Sequence, residues 1–292
     1  MSSTVFRFAP SPNGYLHLGH AYSALLNFKM AQETGGKFLL RIEDIDQARC
    51  TPQLQQHMLE DLEWLGLEWD QPPRKQSEHF DAYHDAIEQL EGIGLVYRAY
   101  LTRAQLKAFI STFEQTGRSW PRDPDGAPLY PEESVVLDEA ARARYQREDA
   151  PCTRRLHMDT AIRMLGGPLQ WNEQGKGPQG ETGALTAHPE FWGDVVLARK
   201  DTPTSYHLSV VVDDALQGVT HVVRGADLFH ATSVHRILQN LLGLPDPVYH
   251  HHKLIKDSEG YKLSKSQRSL SLRELRAQGV TPTQIREQLG LC

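Results

Sequence analysis

The chain reads as an α/β protein built on a parallel sheet and interrupted by an inserted section. Three observations predict this. Short β-prone apolar runs alternate with segments whose apolar residues recur at helical spacing, the pattern of strand–helix–strand units. Two stretches rich in glycine and proline, 117–131 and 166–190, bracket a middle section where that rhythm is lost. The rhythm then returns, with no internal repeat.

Residues 6–9 form the first predicted strand, broken by Pro10-Ser11-Pro12-Asn13-Gly14. Tyr22, Leu25, Leu26, Lys29 and Met30 then predict a helix that closes at Gly35-Gly36. Residues 38–42 read as the next strand. Thr51-Pro52 predicts a capped helix start leading through Leu54, Met58, Leu62 and Leu65 to Gly66. Ser77 is expected to cap a helix carrying Phe80, Tyr83, Ile87 and Leu90, and Thr102 one carrying Leu106, Phe109, Ile110 and Phe113. The stretches 117–131 and 166–190 are expected to be irregular. Residues 194–198, 208–212 and 219–223 resume the β-prone runs, with a helix around Val234-His235-Arg236-Ile237-Leu238. Two short helices, 271–278 and 282–289, end the chain.

A chain of 292 residues with 39% hydrophobic and 23% charged side chains can bury a sizeable core. Its formal charge of −6 argues against a general polyanion binder, although a local basic face remains compatible with RNA. No run approaches the roughly 18 apolar residues of a membrane helix, and the N-terminus lacks a signal pattern, so a cytoplasmic location is expected. Cys50, Cys152 and Cys292 are too scattered to suggest a disulfide framework or a CxxC metal site.

Two segments carry chemistry. His17-Leu18-Gly19-His20 sits at a strand-to-helix turn, where backbone N–H groups and the helix dipole favour phosphate. Imidazole donors there could stabilise charge on a triphosphate, and Gly19 permits close backbone approach. Lys262-Leu263-Ser264-Lys265-Ser266 supplies two point charges able to close over the same group. Each segment alone is more often a pair of ordinary histidines or a solvated lysine loop. His250-His251-His252 also invites a metal reading, but consecutive strand residues point to alternating faces.

Together and in this order, the two segments resemble the ATP-handling signatures of class I aminoacyl-tRNA synthetases. Arg7-Phe8-Ala9-Pro10-Ser11-Pro12-Asn13-Gly14, Arg41-Ile42-Glu43-Asp44-Ile45-Asp46, Ser205-Tyr206-His207-Leu208, Val211-Val212-Asp213-Asp214 and Arg224-Gly225-Ala226-Asp227-Leu228 are similar to successive motifs of glutamyl-tRNA synthetases. The resemblance implies a class I, Rossmann-like parallel sheet. Its expected divisions are 1–96 and 193–250 as the halves of the catalytic domain, 97–192 as an inserted acceptor-binding-like subdomain, and 251–292 as the lysine-loop region with short helices. It implies His17, His20, Lys262 and Lys265 as catalytic residues, with His17, Gly19, His20 and Lys265 binding ATP. Magnesium would accompany the phosphates. Arg7 and Arg224 would contact the carboxylates of glutamate, Glu43 its ammonium group and Tyr206 would add a hydroxyl, with Ala9 and Ser11 in the pocket wall.

Val210 departs from the asparagine common four residues after that tyrosine, which should weaken amino-acid binding by roughly 1–2 kcal/mol. Past Ser266 the chain is expected to be too short for an anticodon-reading domain. Both features resemble the stand-alone paralogues of this family that glutamylate queuosine in the anticodon loop of tRNA(Asp). That resemblance implies L-glutamate and queuosine-bearing tRNA(Asp) as partners and a monomer. The alternatives are a truncated enzyme charging tRNA(Glu), or an inactive synthetase-derived binding module. Many of these paralogues carry a Cys-x-Cys and Tyr-x3-Cys zinc site. The corresponding positions here are Ala99, Leu101, Tyr130 and Ser134, so no zinc is expected, and Tyr97, Tyr100, Leu106 and Phe109 are expected to pack the insertion instead.

Overall fold

The computed structural model describes residues 3–255 and 270–291. Lys262, Ser264, Lys265, Ser266 and Cys292 lie outside the described residues.

In chain order the first half runs β1 (Val5–Phe8), α1 (Leu18–Thr34), β2 (Lys37–Ile42), α2 (Pro52–Trp64), β3 (Arg74–Lys75), α3 (Phe80–Gly92), β4 (Val96–Ala99) and α4 (Arg103–Glu114). The middle holds α5 (Glu139–Arg147), β5 (Thr153–Leu156), α6 (Met158–Met164), β6 (Gln170–Glu173), β7 (Gly183–Thr186) and β8 (Val196–Ala198). α7 (Tyr206–Leu216), β9 (His221–Gly225), α8 (Thr232–Leu241), β10 (Val248–His252), α9 (Leu272–Ala277) and α10 (Pro282–Leu289) follow.

A seven-stranded sheet has the order β3-β2-β1-β9-β10-β6-β7, and β4-β5-β8 form a second, antiparallel sheet. All pairings in the large sheet are parallel except the β6–β7 hairpin. The chain works outward from β1 to β2 and β3, then resumes on the other side of β1 with β9. The crevice past the carboxyl ends of β1 and β9 is therefore a topological switch point, the place where such sheets bind ligands.

Local sequence explains most boundaries. The Thr51 hydroxyl accepts the Leu54 N–H with Pro52 at the first helical position, and Thr102 and Ser271 make capping boxes with Gln105 and Glu274. Phe6, Leu40, Leu25, Met58 and Leu62 unite β1, β2, α1 and α2 in one core, which Leu272 and Ile285 of α9 and α10 close.

Three elements differ from the sequence reading. Ser77 does not cap α3. Its hydroxyl donates to Asp44 (2.6 Å) and its N–H to the same carboxylate (2.8 Å), and the helix begins only at Phe80 after a 3-10 turn. Residues 208–212 belong to α7, whose positions from Leu208 to Asp214 are all buried. Burial on every side erases the helical period, leaving a valine run that reads as a strand. The glycine-rich stretch 166–190 contains β6 and β7. In β6 the inward positions are Trp171 and Glu173, and a charge in the inward register hides the alternation. The interval 97–192 thus contributes β5 and most of β4 to the small sheet and β6 and β7 to the large one.

Near Ala99, Leu101, Tyr130 and Ser134, a carboxylate makes the cross-link. Glu133 accepts from the Leu101 N–H at 3.0 Å, from the Tyr100 N–H, and from the Tyr130 hydroxyl at 2.5 Å. Tyr100, Leu101 and Leu137 form the small core beneath it. Of the other expected packing residues, Phe109 meets Trp120 edge-on at 5.1 Å, and Tyr97 stacks on His157 and donates to Asp194.

Adjacent carboxylates on α7 tie that helix to the first three strands. Asp213 accepts from Arg74 (2.7 Å), Gln76 (2.8 Å) and the Tyr83 hydroxyl (2.8 Å). Asp214 accepts from Arg7 (2.9 Å) and Arg41 (2.7 Å). Arg41 and Asp213 are each 0% exposed. Burial raises the Asp214 carboxyl, but Arg7 and Arg41 outweigh it and hold the group below its ordinary range. Replacing Asp213 with Asn should cost about 3–5 kcal/mol in urea unfolding, because buried cations lose their counter-charge. A loss below about 1 kcal/mol would sink this view of the network.

Candidate functional site

A cavity of about 390 Å³ opens at the switch point, and Arg7, Ala9, Ser11, His17, Gly19, His20, Glu43, Tyr206 and Arg224 all line it. The residues singled out from the sequence thus converge on one place, Lys262 and Lys265 excepted because they are not described. Val210 is not among the lining. It packs into the core around α3, α7 and α8.

The start of α1 differs in detail from the expected row of amides facing a phosphate. His17 is the N-cap, and its Nδ1 accepts the Gly19 N–H (3.1 Å), while His20 Nδ1 accepts the His17 N–H (3.1 Å). The imidazoles therefore take up two of those amides themselves. Accepting at Nδ1 leaves the proton of a neutral ring on Nε2. A Cβ on Gly19 would stand 2.9 Å from His17 Cε1, so glycine here first makes room for the capping ring.

Arg7 and Arg224 sit on adjacent strands but in different electrostatic settings. Arg7 is tied to Asp214 through Nε and Nη2. Arg224 has no carboxylate within ion-pair distance among the described residues. Neutral groups hold it instead. Nε donates to His251 Nε2 (3.1 Å), Nη1 to His235 Nδ1 (3.0 Å), and Nη2 to Thr232 Oγ1 (2.8 Å) and the Leu228 carbonyl (3.2 Å). Behind His251, its Nδ1–H donates to Glu173 Oε2 (2.6 Å), which leaves Nε2 free of a proton to accept from Arg224. His235 in turn passes its Nε2–H to His207 Nδ1 (3.3 Å). A Cβ on Gly175 would lie 2.3 Å from the His251 carbonyl oxygen, so the backbone beside this relay admits only glycine without a shift.

Sequence reasoning missed Glu173, His235 and His251. Glu173 fell within a stretch taken as irregular. The His250–His252 run was visible, and its alternation does place His251 inward on β10 opposite Arg224. Burial lowers the His251 and His207 imidazoles to about 4, with Arg224 adding to the effect, and drives His235 well down. Neutral rings are what the hydrogen bonds to Arg224 require.

Across the cavity, burial raises the Glu43 carboxyl against the lowering pull of Arg41 and Arg7. Burial also pushes the Tyr206 hydroxyl up to about 12. The Ser11 hydroxyl lies 3.5 Å from Cys50 Sγ in the wall. The cavity therefore offers an uncompensated guanidinium, a carboxylate and, at a helix start, two imidazole donors. That set suits a zwitterion next to a phosphate chain. Among the described residues no group of three or more His, Cys, Asp or Glu could hold a metal ion, and no helix is long and apolar enough to cross a membrane.

The family described as tRNA synthetases class I (E and Q), catalytic domain, matches residues 3–292. The chain belongs to this family. It is 45% identical to a glutamyl-Q tRNA(Asp) synthetase of Rhodobacter capsulatus over 98% of this chain and 100% of that one. It is 35% identical to a glutamate–tRNA ligase of a Synechococcus species, covering 99% of this chain but 57% of the ligase. The crystal structure of the glutamate–tRNA synthetase of Elizabethkingia anophelis superposes with a TM-score of 0.73 at 28% identity, over 95% of this chain and 54% of that one. The chain thus spans about half the length of these charging enzymes and the whole of the first relative. As a family member it is an aminoacyl-tRNA synthetase-like ligase.

The buried histidines of this synthetase fold make its stability pH-dependent. Unfolded imidazoles bind protons near pH 6.5, whereas folded His207 and His251 do so only near 4, so the unfolded state holds more protons between these values. His235, His221, His250 and His252 shift the same way, against the raised carboxyls of Glu43 and Asp61. The unfolding free energy from urea titration should fall as pH drops from 6.5 toward 4, by up to about 1.4 kcal/mol per pH unit for each fully shifted histidine, and the midpoint should fall with it. Equal midpoints at pH 7 and pH 5 would contradict this.

Proposed function

We propose that this protein activates L-glutamate with ATP and transfers the glutamyl group to queuosine in tRNA(Asp). The observation that carries the reading is the charge arrangement in one cavity. An Arg224 held only by neutral groups and the Glu43 carboxylate share the cavity with the imidazoles at the start of α1. The full-length correspondence to a relative named for this activity supports the acceptor assignment.

In the first step an α-carboxylate oxygen of glutamate attacks the α-phosphorus of ATP. The bond to the leaving oxygen breaks, and pyrophosphate departs. Arg224 takes the side-chain carboxylate, Glu43 the ammonium group, and Arg7, oriented by Asp214, presents its remaining donors to the substrate. His17 and His20 direct Nε2–H at the phosphates, where charge builds up. Lys262 and Lys265 are assigned by motif to the same charge. Magnesium would be held by the triphosphate, since this chain offers no dedicated cage among its described residues. In the second step a hydroxyl of the modified nucleoside attacks the acyl carbon and AMP leaves. The adenylate phosphate can take the proton.

The deciding experiment is glutamate-dependent ATP–pyrophosphate exchange without RNA. Exchange is expected, and Lys265→Ala should slow it sharply. Exchange only after tRNA is added would favour an enzyme charging tRNA(Glu), and none under either condition would point to an inactive module. Glu173→Gln tests the relay. The amide N–H would face His251 Nδ1 and force the ring proton to Nε2, against Arg224 Nε–H. KM for glutamate should rise about ten- to a hundredfold, the equivalent of ~1–3 kcal/mol, with a smaller change in kcat. An unchanged KM would remove the relay from substrate binding.

A further inference from the structure

A second cavity, of about 290 Å³, lies against the first and shares Tyr206 with it. Its walls come from the loop between α4 and α5 (Leu129, Tyr130), from Arg155 on β5, from Trp192, and from Ser205 at the start of α7. Three of these residues carry a buried polar atom with no hydrogen-bond partner, namely Arg155 Nε, Trp192 Nε1 and Ser205 Oγ. Trp192 is 6% and Ser205 7% exposed. Ser205 is the N-cap of an eleven-residue helix, yet its hydroxyl makes no capping bond. Other parts of the Arg155 guanidinium are engaged. Nη1 donates to the Asp194 carbonyl (2.6 Å), and the guanidinium lies 3.8 Å over the Tyr130 ring.

Unpartnered buried polar atoms are rare in native folds, and three around one cavity mark a place where something else completes the hydrogen bonds. Two are N–H groups that can only donate, so the occupant brings acceptor oxygens. Leu129 and Tyr130 provide an apolar wall for a ring. The volume, at the lower end of small-molecule sites, suits one ring better than a whole nucleotide. Tyr206 lines both this cavity and the glutamate pocket, so the two lie side by side.

We propose that this cavity seats the acceptor, a five-membered ring bearing vicinal hydroxyls that RNA presents, with Arg155, Trp192 and Ser205 binding its oxygens. The inference rests on the first cavity being the glutamyl-adenylate site. One ring hydroxyl forms the new bond to the acyl carbon, the carbon–oxygen bond to AMP breaks, and the hydroxyl proton goes to the departing phosphate. The same diol chemistry occurs on the modified base and on the terminal ribose of tRNA.

The test compares Trp192→Phe, Ser205→Ala and Leu129→Trp, the last filling the cavity from its loop wall, with the unaltered protein. Two rates are measured on each preparation: glutamate-dependent pyrophosphate exchange without RNA, and transfer of radiolabelled glutamate to tRNA(Asp) with and without queuosine. The ratio of transfer to exchange should fall at least tenfold in the variants, while thermal unfolding stays within a few degrees. Transfer to the modified tRNA alone identifies the base diol as the occupant, and equal transfer to both identifies the terminal ribose. Variants that keep the ratio overturn the proposal even if the unaltered protein performs both steps. Failure of exchange in the unaltered protein would instead remove the reading on which the proposal rests.

Discussion

Adjacent carboxylates at Asp213 and Asp214 gather three arginines from three neighbouring strands, and the site is built on that clasp. Arg7 comes from β1, Arg41 from β2 and Arg74 from β3. Charges so deeply buried are tolerable only when each is matched, and breaking one pair leaves an uncompensated ion. The clasp therefore fixes α7 relative to β1, β2 and β3. Tyr206, at the first turn of the same helix, inherits that placement, as do both cavities that it lines.

The same logic divides labour between two arginines that look interchangeable in sequence. Arg7 belongs to the clasp and keeps its charge balanced when the cavity is empty. Arg224 is oriented by histidines that burial keeps neutral, so its charge remains available. Ordering a cation without neutralising it requires hydrogen-bond acceptors that carry no formal charge. Imidazoles with assigned tautomers meet that need, and Glu173 fixes the tautomer of His251 from one residue further back.

The strand–helix alternation, the caps at Thr51 and Thr102, and the turn between Phe8 and His20 were legible because each depends on neighbours in sequence. Every expected pocket residue among those described proved to line one cavity, since the motifs lie at the carboxyl ends of strands that the parallel topology brings together. What stayed hidden depends on partners far along the chain. Ser77 is captured by Asp44, which no local rule anticipates. The valines of α7 lose helical periodicity because they are covered on all sides. Glu173 looks like a solvated charge in a glycine-rich loop until β6 pairs with β10 and turns it inward. The roles of Arg155, Trp192 and Ser205 rest on hydrogen bonds left unmade, which leave no pattern in sequence.

Gly175 shows how far the vulnerability of such a site extends. It touches no part of the glutamate cavity, and in the chain it falls among glycines that look like spacer. Yet a single methyl group there would press on the backbone of His251, whose ring orients Arg224. A natural variant at this position could impair amino-acid selection while leaving every substrate-facing side chain intact. Ranking variants by proximity to the reacting atoms would pass over it. Counting how many rigid contacts separate a residue from an unneutralised charge would not.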